Sequence, residues 1–193
     1  MLDGKTLPLA SLFALALSTS LPLTASENSF SQAYSDYQAA LKQGDNDQIE
    51  ASAKRAFELG EAQYAKDSVD LANLAMNWAG AIEKQVAPYP FEEKNLPKTA
   101  KANELYQLAL SNYKKHYGEH AAELIDPLLG AAETSVEAKD AKNDLLDAIT
   151  IAEKSDKKKL IADVKMAAFN RLSNTELYTR SVRSYAFEAY ETY

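Results

Sequence analysis

The residues best suited to chemistry stand together at His116-Tyr117-Gly118-Glu119-His120. Histidines at i and i+4 can share a metal ion from one helical face, so this H-x-x-E-H spacing describes a zinc hydrolase built on His116, Glu119 and His120. Gly118 interrupts the helix that the spacing requires, and these are the only two histidines in the chain. The segment reads better as a helix end followed by a polar cap, with Lys114, Lys115 and His116 suited to a helix C-terminus. The zinc hydrolase stays as an alternative. The absence of cysteine removes a thiolate metal site, a cysteine nucleophile and a disulfide scaffold. No Gly-rich phosphate loop, nucleophile elbow or meaningful Ser/His/Asp spacing occurs, and the acidic residues are spread as solvated helix faces. The expectation is a protein that is not an enzyme, with no metal and no cofactor.

A second set of residues suits recognition. Asn73 and Asn77 lie four apart in the run Leu71-Ala-Asn-Leu-Ala-Met-Asn-Trp-Ala79, on one helical face beside Trp78. Eleven tyrosines accompany a single tryptophan. Most read as packing residues whose hydroxyls reach the surface, and a few, with Tyr34 and Tyr37 as the candidates, as lining for a binding groove. Pro88-Tyr89-Pro90-Phe91 places two aromatics in a loop, either folded back as a lid or presented as a contact site.

The elements that position these residues are helices. Beyond Ser26 the strong helix formers Ala, Leu, Glu, Lys and Gln dominate. Apolar residues recur at three and four, as in Phe30, Ala33, Tyr34, Tyr37 and Leu41, or Leu105, Leu108, Ala109, Asn112, Tyr113 and Tyr117. No alternating run of Val, Ile and Thr suggests a strand. The breaks predict helices near 29–43, 47–65, 69–86, 99–117, 121–136, 138–154, 158–172 and 175–193, which is eight helices in four hairpins, with one long Pro-rich loop at 86–98. Pro127 either opens its helix at the first turn or kinks it.

The chain also echoes itself. Ala56, Tyr64 and Leu71 reappear at one constant offset as Ala109, Tyr117 and Leu124, and further copies start near Ala148-Ile149 and Ala186-Phe187. Repeats of paired helices signal a helical solenoid. The segment Ala56 to Ala79 resembles the tetratricopeptide repeat in its longer, kinesin-light-chain-like form, and Leu105 to Ala132 repeats the plan with Tyr117-Gly118 at the turn. The resemblance covers roughly residues 30 to 193. The Trp-Leu-Gly-Tyr signature is poor in every copy, and the closing Pro is missing. The resemblance implies an all-α fold, a right-handed α-α superhelix whose concave face is lined by the first helix of each pair. It also implies that Asn73 and Asn77 line the groove and hydrogen-bond a bound peptide's backbone; the peptide-binding candidates are these two with Trp78, Tyr34 and Tyr37. Ala56, Ala72, Ala75, Ala79, Ala109 and Ala168 are the small residues expected where helices approach closely.

Residues 1–25 read as a secretory signal peptide. A short polar start with Lys5 leads to an apolar run at Leu12 to Leu17, then Pro22 and the small residues Thr24, Ala25 and Ser26. An uncleaved membrane anchor is the alternative. With 28 acidic against 21 basic residues, a formal charge of −7 and a pI near 5.0, the chain has no general attraction to nucleic acid or an anionic membrane. The expectation is an exported protein of bacterial type, periplasmic or secreted, whose residues 26–193 form a repeat domain that binds a partner protein or peptide. Residues 180–193 resemble the start of another repeat without a polar cap. That raises two options: stacking on a second copy, or membership of a larger cell-envelope protein such as a TonB-family energy transducer.

Overall fold

The structure, a computed structural model, describes residues 25–192, with side chains from residue 29 onward. Apart from Ala25, the expected signal segment therefore lies outside the described residues. Among those residues the chain is all-α, with eight α-helices and no strand. They are α1 (Ala25–Gln43), α2 (Asn46–Gln63), α3 (Val69–Val86), α4 (Leu96–Tyr117), α5 (Ile125–Thr134), α6 (Ala138–Lys154), α7 (Lys158–Leu172) and α8 (Arg180–Tyr190). A 3-10 turn at Ala122–Leu124 precedes α5. Each helix packs on the one before it and the one after it, and α5 also touches α3 and α7. That order of contacts is compatible with a helical solenoid.

The helix starts follow from their caps. Asp45 accepts hydrogen bonds from the amides of Asp47 and Gln48 at 3.0 and 3.2 Å, and Ser68 accepts one from Leu71 at 3.1 Å. Each side-chain oxygen satisfies amides that have no partner within the helix. Gly44 and Gly118 have φ of 77° and 92°, a region where a Cβ is strained, and so they stop α1 and α4.

The starts of α4, α5 and α8 differ from expectation, each for a local reason. Pro97 falls in the first turn of α4, where its missing N–H leaves nothing unpaired, so the helix begins at Leu96 and the loop shortens to 87–95. Pro127 likewise lies in the first turn of α5, and it opens that helix rather than kinking it. Helix α8 begins at Arg180 instead of near residue 175. Thr175 turns its hydroxyl to the Leu172 carbonyl at 2.8 Å and receives the Leu177 amide at 3.2 Å, so side-chain bonds replace helical ones there.

The core is rich in alanine. Ala56, Ala72, Ala75, Ala79, Ala109 and Ala168 are all buried, at no more than 1% exposure. The echo is structural too: Tyr64 caps the end of α2 and Tyr117 closes α4, while Leu71 and Leu124 are both buried. One of the tightest approaches is that of Tyr106, a buried ring on α4. A Cβ placed on Gly130 of α5 would fall 2.3 to 2.6 Å from the ring, whereas one on Gly80 of α3 would meet only the Tyr106 hydroxyl, at 3.8 Å.

The two glycines should therefore respond oppositely to alanine. Gly130→Ala gains about 1 kcal/mol of helix propensity but drives a methyl into a packed ring, and a net loss of about 1–2 kcal/mol is expected in urea unfolding. Gly80→Ala meets only an ordinary contact and should gain up to about 1 kcal/mol. Equal effects at the two positions would mean that Tyr106 is not seated against Gly130.

Candidate functional site

Because α3 and α5 run in the same direction, their N-terminal halves share one cleft and their C-terminal ends another. The first cleft, of about 470 Å³, is lined by Tyr34 of α1, Asn73, Met76 and Asn77 of α3, Tyr113 and Tyr117 of α4, and Glu123, Asp126 and Pro127 at the start of α5. A recess of about 160 Å³ extends it past Phe30, Tyr64 and Asp70. Aromatic rings dominate this region. Phe30 meets Tyr64 edge-on at 5.4 Å, and Tyr113 meets Tyr117 at 5.7 Å. The Tyr113 hydroxyl donates to Asn73 Oδ1, and burial pushes its pKa up, so it stays a donor across the ordinary pH range. No hydrogen bond to another described residue engages the Asn77 side chain.

Of the five recognition candidates, three come together here. Tyr34 is 39% exposed and lines the cleft with Asn73 and Asn77. The other two lie in the core. Tyr37 is 7% exposed, and Trp78 is also 7% exposed, with its ring 5.4 Å from Phe57 and the ammonium groups of Lys101 and Lys54 at 5.3 and 5.9 Å from its own. Trp78 follows Asn77 by one residue, a rotation of roughly 100° about the helix, so the two point to different neighbours.

The histidines are parted by the chain stop between them. His116, on the last turn of α4, has Nε2 at 2.8 Å from the Asp67 carbonyl, while Lys115 pairs with the Asp67 carboxylate. Glu119 and His120 line a small recess of about 130 Å³ with Lys114, Leu124, Leu128 and Asp147. Among the described residues, no group of three or more His, Asp or Glu side chains is placed to hold a metal ion.

The second cleft is the larger, about 530 Å³, and no motif in the sequence announces it. It lies where the last turns of α3, α5 and α7 converge. Its lining includes Glu83 and Val86, Glu133 and Thr134, Asn170 and Arg171, together with Pro88, Pro90 and Phe91 of the long loop. The loop folds back: Thr99 donates to the Pro90 carbonyl at 2.6 Å, Asn95 donates to that of Tyr89 at 2.8 Å, and the Phe91 ring centre lies 4.8 Å from the Arg171 guanidinium carbon. Arg171 also donates from Nε to the Ala132 carbonyl at 2.9 Å and from Nη2 to the Ser135 carbonyl at 2.7 Å, closing the C-terminus of α5. Asn103 adds a bond to the Ala131 carbonyl at 2.9 Å. The residues that build this cleft come from separate hairpins, and only the paired aromatics of the loop hinted at it.

Charge in the second cleft is unevenly satisfied. Glu83 accepts a hydrogen bond from the Tyr106 hydroxyl at 2.5 Å. That contact, added to burial, raises the pKa of the phenol. Glu133 has no hydrogen bond or ion pair to another described residue. Burial raises its carboxyl above the usual range, the Arg171 charge opposes that rise, and the Glu83 charge adds to it. No helix among the described residues is long and apolar enough to cross a membrane. Comparison with protein-family profiles, with characterised proteins and with solved structures finds no match for this chain.

Arg171 is thus the tie between loop, α5 and α7. Replacing it by methionine keeps the apolar stem but removes two bonds to carbonyls and the contact with Phe91. Unfolding should become easier by about 2 kcal/mol, and chymotrypsin should cut after Phe91 faster than in the parent chain. Lysine should not restore the parent behaviour, because one ammonium cannot span both carbonyls and stack on the ring. Full rescue by lysine would show that charge alone, without the planar fork, holds the loop.

Proposed function

We propose that this chain is a non-enzymatic scaffold of the tetratricopeptide type, exported to the periplasm or secreted, that holds an extended or helical segment of a partner protein on the face lined by its odd-numbered helices. The observation that carries the reading is the Tyr34, Asn73 and Asn77 cleft, in which the Asn77 amide is left without a partner among the described residues. A side-chain amide offers both a donor and an acceptor, which is what the backbone of a bound peptide requires. Tyr34 and Tyr117 add wide, partly exposed rings at little conformational cost, a combination favoured where proteins recognise one another. Asp126 gives this cleft an acidic edge, which favours segments carrying a basic residue. Affinity in such a cleft rests on a few anchors rather than on area. Export is supported by the apolar run, Pro22 and small residues at the start of the chain.

The reading is tested with peptides selected from a random displayed library on the whole chain. Asn77→Ala leaves no internal partner unpaired, so its melting temperature should match the parent. Selected peptides should bind it at least about tenfold more weakly, the equivalent of about 1.4 kcal/mol. Peptides that bind Asn77→Ala and Tyr34→Ala as tightly as the parent would remove this cleft from the function.

A further inference from the structure

The cleft at the other end of α3 and α5 has its own chemistry. Its walls are the last turns of three helices: Glu83 to Val86 of α3, Glu133 and Thr134 of α5, and Asn170 and Arg171 of α7. Each helix C-terminus carries partial negative charge, roughly half an electron, on carbonyls that have no partner within the helix. Two carboxylates, Glu83 and Glu133, face the same space. Against them stands one cation, Arg171, whose Nε and Nη2 are already committed to the Ala132 and Ser135 carbonyls and whose plane is covered by Phe91. Arg171 therefore offsets the end of α5 and leaves Glu133 without a hydrogen bond or an ion pair among the described residues.

A half-buried carboxylate in that position is stabilised by a cation brought from outside. The cleft has room for more than an ion. At about 530 Å³ it falls within the range of roughly 300–1,000 Å³ typical of small-molecule sites. Val86, Pro88, Pro90 and Phe91 supply an apolar wall suited to an alkyl stem, and Asn170, Asn174 and Thr175 supply polar groups at its edge. We propose that this cleft binds an organic cation, an ammonium or guanidinium group on a short alkyl chain, with Glu133 and Glu83 as its counter-ions and the loop at residues 88–91 closing over the stem. The group can belong to a free amine or to a Lys or Arg side chain of a polypeptide. The site does not depend on the Asn77 cleft, which occupies the opposite ends of the same helices.

The test is calorimetric titration of the intact chain with agmatine and butylamine, and with arginine and lysine blocked at both termini, using butanol and butyrate as neutral and anionic controls. At least one cation should bind and the controls should not. Glu133→Gln should weaken that binding at least tenfold while keeping the melting temperature, since it removes a charge whose burial is unfavourable. Asn174→Arg changes an exposed position beyond α7, brings a competing positive charge to the cleft, and should abolish binding without touching the core. Asn77→Ala should leave cation affinity unchanged, which separates this site from the proposed peptide cleft. Binding of the free amines alone would identify a small-molecule site, and binding of the blocked amino acids would identify a polypeptide side chain as the source. The proposal is overturned if no cation binds more tightly than about 1 mM, or if binding survives both Glu133→Gln and Asn174→Arg.

Discussion

The seating of Tyr106 against Gly130 is the contact on which the rest of the molecule depends. A ring from α4 can pass this close to α5 only where α5 has no Cβ, and the same ring then reaches α3 through its hydroxyl bond to Glu83. One side chain therefore fixes the spacing of three successive helices. Because a helical face repeats only at i±3 and i±4, sliding α4 along α5 would carry Tyr106 off the glycine and against positions that bear a Cβ. The register set here decides which residues of α3 and α5 face each other on both sides of the contact. Glu83 and Glu133 line one cleft beyond it, and Asn77 and Asp126 line another before it.

Polar side chains from one hairpin close the turns and helix ends of another, and this limits how the hairpins can slide. Asn112 of α4 is buried and donates to the carbonyls of Lys66 and Ser68 in the α2–α3 turn, at 3.0 Å each. His116 and Lys115 hold Asp67 in the same turn. Further along, Asn103 and Arg171 take the last carbonyls of α5, and Lys165 of α7 pairs with Glu153 of α6 at 2.8 Å and with Glu188 of α8 at 2.6 Å. A buried amide or guanidinium has strong directional demands, so a small displacement leaves several groups unpaired at once. Alanine packing alone would tolerate more slippage, because small side chains interdigitate weakly. The polar ties supply the specificity that an alanine-rich core lacks.

Helix class and most helix ends were legible because they follow from local rules. Period, caps and glycine stops act within a few residues, and the buried alanines fall at the spacing that packing demands. Spacing by four also put Asn73 and Asn77 on one helical face, and the structure lines one cleft with both of them and Tyr34. The limits are equally physical. Tyr37 and Trp78 neighbour those residues in sequence, yet rotation about the helix axis turns each into the core, and only knowledge of which face meets α2 or α4 could have separated them. The start of α8 was misread because Thr175 forms side-chain bonds that compete with the helix at a polar turn. The second cleft was invisible because Glu83, Glu133 and Arg171 belong to different hairpins, and no local pattern joins them.

The two clefts differ in kind because they occupy opposite ends of helices that point the same way. Where α5 begins, its dipole presents partial positive charge, and the lining there includes amides, phenols and two carboxylates, Glu123 and Asp126, that suit a helix start. Where α3, α5 and α7 end, partial negative charges gather on one side, and additional carboxylates there are unfavourable unless a cation joins them. Arg171 answers part of that demand from within the fold, and its bonds to the Ala132 and Ser135 carbonyls at the end of α5 show where its charge is spent. Glu133 lies close enough to feel that charge but makes no ion pair with it, so its burial still outweighs the attraction. Along the odd-numbered helices one end therefore gathers amides and the other gathers carbonyls, while Tyr117, at the C-terminus of the oppositely running α4, also lines the first cleft. In this chain the loop at residues 87–95 covers the cation-favouring end and leaves the other open.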